Sequence, residues 1–172
     1  MTELLCVVDE NDKVLGSQRR GKVHSSKAWH RGVHILLENE KGEIALQKRA
    51  HSKDKFPDKW DVSVSEHLLF GENYLQAAKR GLREEFGASA KLEEALYFRA
   101  RYGRHDFMVN KLFYCKHDGW LSKNKEMSKI AFLGKKELLE KLQKTPEKFA
   151  SWAREILNYY FGKPNNLVAL KN

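Results

Sequence analysis

The chain alternates between short runs of apolar residues and polar, turn-forming stretches. Leu4 to Val8 and Val14 to Gln18 flank the polar turn Glu10-Asn11-Asp12-Lys13, which predicts an N-terminal β-hairpin. A polar loop carrying His24 and His30 is expected next. Val33 to Leu37 and Glu43 to Lys48 read as a second hairpin, joined through Asn39-Glu40-Lys41-Gly42, where Gly42 supplies the positive φ of a tight connection. After a charged loop from His51 to Lys59, Trp60 to Ser65 alternates large and small side chains as a single short strand would. A loop with Gly71 then leads into a helix from Asn73 to Phe86. Leu75, Ala78, Leu82 and Phe86 recur there at spacings of three and four, predicting one buried stripe, and Gly87 is placed to end it. Further strands are expected at Leu96 to Arg101, Lys111 to Cys115 and Lys129 to Leu133, then helical segments at Lys135 to Leu142 and Pro146 to Tyr160.

Strands and helices mix without the strict alternation of a doubly wound sheet, so the expected class is α+β, specifically an α/β/α sandwich with a mixed central sheet and an N-terminal hairpin. A chain of 172 residues fits one domain, expected over 1–162, with 163–172 as a C-terminal tail. The 41% hydrophobic content suits a folded core rather than a disordered chain. No apolar run reaches membrane-spanning length and no leader pattern opens the sequence, which points to a cytoplasmic protein without a membrane partner. Cys6 and Cys115 lie far apart in no metal-type spacing and read as two small thiols. The net charge of +9 favours anionic partners, either phosphorylated metabolites or nucleic acid. Much of the excess, such as Lys135, Lys136, Lys141 and Lys144, falls on expected solvent faces, so nucleic acid is the minor alternative.

The residues that carry chemistry cluster around the helix. Glu72, Arg80, Glu84, Glu85 and Gly87 stand in a spacing that resembles the box of the Nudix superfamily, Gx5Ex7REUxEExGU, where U is aliphatic. Leu82 and Ala88 occupy the aliphatic positions, and the box runs from 66 to 88. Two positions depart: Glu66 stands for the leading glycine, and Gly81 for the glutamate after the arginine. Outside the box, Gly32 to Arg49 is similar to the family's first long hairpin and Phe56 to Ser63 to the approach to its box, so the resemblance covers roughly residues 5 to 140.

That resemblance implies hydrolysis of a diphosphate linkage, which needs a divalent cation to neutralise phosphate oxygens and a positioned water to attack phosphorus. Mg²⁺, or Mn²⁺, is the implied cofactor, because hard cations take carboxylate oxygens. Adjacent glutamates on a helix point about 100° apart, so Glu84 and Glu85 can serve two edges of one metal cluster while Arg80 orients Glu84 from one turn earlier. Read without the motif, the same residues are a solvated helix face, with Arg80 and Glu84 an ion pair contributing a few tenths of a kcal/mol. Gly81 removes one expected ligand and, inside a helix, costs about 0.8–1 kcal/mol relative to alanine. It therefore marks a close approach or a site where the family's side chain is unwanted. Glu66 either returns a carboxylate from the loop side or blocks the site.

Between Arg20 and His67 the chain resembles one branch of the superfamily, the isopentenyl-diphosphate isomerases and the hydrolases nearest them. This implies a second metal site at His24, His30 and His67 and diphosphate binding by Arg20, Arg49 and Lys53. The branch's cysteine before its Gly-His pair is Ser65 here, and its later glutamate pair is missing from Arg104 to Asn110, so isomerase activity ranks below hydrolysis. Glu126 sits like the family's late acidic residue and is the candidate base. Trp29 and Trp60 are able to stack on a base or cover an isoprenoid, but an aromatic beside a strand is more often core, so they do not identify the substrate. The leading expectation is a metal-dependent hydrolase of a small organic diphosphate, nucleoside diphosphates included. The alternative is an inactive module of the same fold that binds a phosphorylated ligand, nucleic acid or protein.

Overall fold

The structure, a computed structural model, describes residues 3–171. In chain order its elements are β1 (Leu4–Val8), β2 (Val14–Arg19), α1 (Arg20–Ser26), β3 (Trp29–Glu38), β4 (Glu43–Arg49), β5 (Trp60–Asp61), β6 (Val64–His67) and α2 (Tyr74–Phe86). There follow β7 (Glu93–Gly103), β8 (Asp106–Lys116), β9 (Met127–Gly134), α3 (Lys135–Lys144), a 3-10 turn (Pro146–Lys148), α4 (Ser151–Tyr160) and β10 (Val168–Ala169).

β3 is the spine of the molecule. It runs parallel to β8 from the Trp29–Phe107 pair to the Glu38–Lys116 pair, and antiparallel to β6 and, at Val7–His30, to β1. β7 pairs antiparallel with β8, while β4 pairs with β5 and β9. The sheet is therefore mixed, with helices on both faces, as the class assignment expected.

Side-chain alternation along the strands sorts the core into two layers. Val33, Ile35 and Leu37 of β3 and Val109 and Phe113 of β8 pack with Ala77, Ala78, Leu82 and Phe86 of α2. Leu36 and Leu112 face the opposite way and pack with Leu138 and Leu142 of α3 and Ile156 and Leu157 of α4. α2 starts at an Asn73–Gln76 capping box and stops at Gly87, whose φ of 64° lets its N–H reach back to the last turn.

Several local expectations change. The stripe of α2 is Ala77, Ala78, Gly81, Leu82, Glu85 and Phe86, while Leu75, in the first turn, is 42% exposed. The strand expected from Trp60 to Ser65 divides because its two halves choose different partners, Trp60–Asp61 pairing with β4 and Val64–His67 with β3. At the break, Ser63 Oγ accepts from Leu37 N at 2.8 Å and donates to Ala45 O, satisfying backbone groups that the ladder leaves open. The expected loop around His24 and His30 is helix α1 followed by the start of β3, with Lys27 in the left-handed region at the corner. β7 and β8 extend well past the expected limits and turn at Arg104–His105. The segment read as a tail returns to the sheet: β10 pairs with the edge of β7, and Leu170 N donates to Tyr97 O at 2.8 Å. Cys6 and Cys115 are free and buried. No helix among the described residues is long and apolar enough to cross a membrane.

Candidate functional site

A cleft of about 150 Å³ opens where α1, the middle of β3, the ends of β4 and β6, the loop after β4, the start of β8, Glu85 of α2 and Trp152 of α4 meet. Arg20, His24, Arg49, Lys53, His67, Glu85 and Glu126 of the expected site residues all line it. Arg80, Glu84 and His30 are not on its surface.

On one wall, α1 supplies His24, the start of β3 supplies His30 and the end of β6 supplies His67. Their ring nitrogens come within 4.8 Å of one another. Asp106, the first residue of β8, brings Oδ1 to 3.7 Å from His24 Nδ1 and 3.9 Å from His30 Nε2. His30 Nδ1 lies 3.1 Å from Ala28 O, and since a carbonyl only accepts, Nδ1 carries the proton and Nε2 presents its lone pair. His24 Nε2, His30 Nε2 and Asp106 Oδ1 are buried without a hydrogen-bond partner. Burial, aided at His24 by Lys55, holds His24 down at about 4, and burial also lowers His30 and lowers His67 strongly. Neutral imidazoles with an aspartate are the donor set of a divalent transition metal, and the unpartnered atoms fit such an ion.

The other wall comes from α2 and the strand before it. Glu85 is 5% exposed, and its Oε2 accepts from Gln47 Nε2. Burial, then the neighbouring Glu66, pushes its carboxyl well above the usual range. A buried carboxylate pressed by other carboxylates is the environment a hard divalent cation relieves. Glu84 does not line the cleft and is more than half exposed. Arg80 is held from several sides. Nε and Nη2 bind the two oxygens of Glu72 at 2.8 and 3.0 Å, Nη1 reaches Glu66 at 3.0 Å and Glu84 at 3.3 Å, and Nη2 also donates to His67 O at 2.9 Å. This clamp ties α2 to β6 and fixes the loop between them. Arg80 is thus committed to carboxylates and one carbonyl and does not line the cleft.

Cations flank both walls. Arg49 donates to Lys55 O and to Asp61 Oδ2 at 3.1 Å, and lies 5.1 Å over the Trp152 ring. Asp61 is fully buried, and burial raises its carboxyl against the pull of Arg49 and of Trp152 Nε1, which donates to it at 2.7 Å. Lys53 pairs with Glu126 at 2.9 Å, and Arg20 approaches Asp54 at 3.6 Å. Lys55 reaches His24 Nδ1 at 3.0 Å and Asp106 Oδ2 at 3.1 Å. The floor holds His34, Ser65, Met108 and Trp152. Ser65 Oγ donates to Asp61, so His34 Nδ1 donates to Ser65 at 3.0 Å and leaves His34 Nε2 buried and unpartnered.

Sequence reasoning missed Lys55, Asp106, Gln47, His34 and Trp152 as members of this cleft. For Asp106 a signal existed, the alternation Asp106, Met108, Asn110 on one face of a strand, but it required β8 to start five residues earlier than expected. Trp152 and Gln47 carried none, since their place depends on α4 and β4 meeting at Asp61.

The NUDIX domain model matches residues 28–157. The chain belongs to the Nudix family. Its similarity to an isopentenyl-diphosphate Delta-isomerase of Serratia proteamaculans is 32% identity, covering 91% of this chain and 90% of that protein. An uncharacterized Nudix hydrolase of Listeria innocua is 31% identical, covering 89% of this chain and 85% of its own length. A Deinococcus radiodurans crystal structure superposes with a TM-score of 0.78 at 24% identity, covering 91% of this chain and 98% of that one, and so shares the fold. Nudix proteins generally use divalent metal cations, and membership supports hydrolase chemistry of the general Nudix kind.

Proposed function

We propose that this Nudix protein is a divalent-metal-dependent hydrolase of a small organic diphosphate. One observation carries the reading: a single cleft sets a buried glutamate, an aspartate and the neutral histidines His24 and His67, with His30 within 4.8 Å of both, against four cationic side chains, Arg20, Arg49, Lys53 and Lys55. The anionic and imidazole donors suit metal, and the cations suit phosphate oxygens.

In this reading Glu85 holds Mg²⁺ or Mn²⁺, oriented by Gln47, with Glu84 at the rim positioned by Arg80. His24, His30, His67 and Asp106 form a second metal site. A divalent cation bound there supplies neutralisation of phosphate charge. Arg49 and Lys53 grip the diphosphate, and Arg20 closes the outer side. Glu126 is the proton acceptor. Its carboxylate is engaged by Lys53, so a phosphate that takes Lys53 for itself frees Glu126 to accept a proton from water.

The similarity to proteins named isopentenyl-diphosphate isomerase raises a second reading. At the position where that branch carries its cysteine stands the Ser65 hydroxyl, already committed to Asp61, with the Met108 thioether also on the floor, and neither is a carbon acid of the kind isomerisation uses. Hydrolysis at phosphorus asks nothing of those positions.

The deciding experiment incubates the protein with nucleoside diphosphates, nucleotide sugars and isoprenyl diphosphates plus Mg²⁺ or Mn²⁺, following released phosphate or monophosphate. Turnover that needs metal and disappears in Glu85→Gln is expected. A wild-type signal no greater than that of Glu85→Gln across the whole panel would favour the binding-module reading, and interconversion of isopentenyl diphosphate isomers would favour the isomerase.

A further inference from the structure

Two departures from the box, Glu66 and Gly81, are adjacent in space. Glu66 sits on β6 opposite Val33, with its backbone fixed by the ladder to β3. Gly81 is in α2, one turn before Glu85. A β-carbon placed on Gly81 would stand 2.7 Å from Glu66 Cγ, 3.3 Å from Glu66 Cβ and 3.0 Å from Val64 Cγ1. The stem of Glu66 therefore fills the volume into which a side chain at 81 would grow. No other explanation for a helix-interior glycine is needed: its φ is that of an ordinary helix, so conformational freedom is not what the position uses.

We propose that Glu66 is the carboxylate partner of Glu85 at the metal-holding wall of the cleft, and that position 81 is glycine to admit it. The inference rests on the hydrolase reading above. Glu66 lines the cleft beside Glu85. Its Oε2 is taken by Arg80 at 3.0 Å, and Oε1 has no hydrogen bond among the described residues. Glu85, 5% exposed, spends only Oε2 on Gln47, so each glutamate keeps one oxygen available. A side chain at 81 would lie over the same neighbour, because residues four apart on a helix share a face. Carboxylate and glycine have in effect changed places between strand and helix, leaving the acid in one location. Glu66 also keeps its contact to Arg80, which is not itself part of the cleft lining and helps fix the Glu66 rotamer.

The test measures Mn²⁺ binding by calorimetry and electron paramagnetic resonance, together with thermal unfolding, on the full chain. The relevant binding event is the one lost in Glu85→Gln. Glu66→Gln keeps the packing and the Arg80 contact, and is expected to weaken that event by about tenfold or more with little change in Tm. Gly81→Glu alone forces the Glu66 stem aside and is expected to lower Tm. The exchange Glu66→Gly with Gly81→Glu is expected to recover Mn²⁺ affinity to within about threefold of wild type, with Val64 giving by a few tenths of an ångström. Wild-type Mn²⁺ affinity in Glu66→Gln, or an exchange variant no better than the single Glu66→Gly change, overturns the assignment while leaving the hydrolase reading intact. The absence of any Mn²⁺ event sensitive to Glu85→Gln overturns both.

Discussion

On one wall of the cleft, His24, His67 and Asp106, backed by the buried His30, arrive from four different elements, and ring nitrogens of His24 and His30 and one Asp106 oxygen are left unpartnered. On the other, Glu66, Glu84, Glu85 and Arg80 come from one helix and the strand just before it, and Arg80 alone contacts Glu66, Glu72 and Glu84. The histidine wall has its chemistry set by burial, which keeps its imidazoles neutral and ready to donate lone pairs. The carboxylate wall has its geometry set by a cation, which fixes oxygens that would otherwise repel. Two chemically different donor sets thus border one cleft, imidazole-rich on one side and carboxylate-rich on the other, and under the proposed function the first suits borderline metals and the second hard ones.

Removing the organising cation should have the largest effect. Arg80→Ala strands Glu66 and Glu72 without their partner, and a cost of about 3 kcal/mol in unfolding free energy is expected by analogy with broken buried pairs. A Tm close to wild type would show that the clamp is dispensable. Glu85→Gln should leave the fold intact while lowering metal-dependent turnover at least about a hundredfold (~2.7 kcal/mol). Glu84→Gln, changing a residue outside the cleft, should cost at least about tenfold less than that. Equal losses would place both glutamates in the same metal shell.

A probe ion separates the walls. Co²⁺ should give visible ligand-field bands that weaken in His30→Ala, with affinity down about tenfold or more, while the Mn²⁺ event lost in Glu85→Gln survives. Loss of both ions together would mean that the walls form one site.

A pH effect comes from the floor. Burial holds His34 at about 3, below the ordinary histidine value. The unfolded chain therefore takes up a proton first. The contribution is complete above about pH 6.5 and is lost as pH falls toward 3, by up to about 1.4 kcal/mol per unit. Denaturant unfolding of the metal-free protein at pH 7 and pH 5 should show a shallower dependence in His34→Asn. Identical slopes would exclude His34 as the source.

The N-terminal hairpin, the turn at Asn39–Gly42, α2 with its Gly87 stop, and the Glu72–Arg80–Glu84–Glu85 relation were legible in the chain because each is local, set by turn chemistry, helical period and capping, whereas β3 and β4 pair only at Glu38–Ile44 beyond that turn. The family resemblance also gathered Arg20, Arg49, Lys53, His24, His30 and His67 before any geometry was available, and the structure brings them around one cleft. What failed to show was whatever depended on a partner choice between distant strands. The division of Trp60 to Ser65 into β5 and β6, the early start of β8 that brings Asp106 to the histidines, and the return of Val168–Ala169 to β7 are decided by pairing energies that a local pattern does not contain. The same holds for the meaning of Gly81. In sequence it is a missing ligand fifteen residues after an unexpected glutamate. Only the packing of α2 on β6 makes them neighbours, because van der Waals exclusion allows a single side chain in that space.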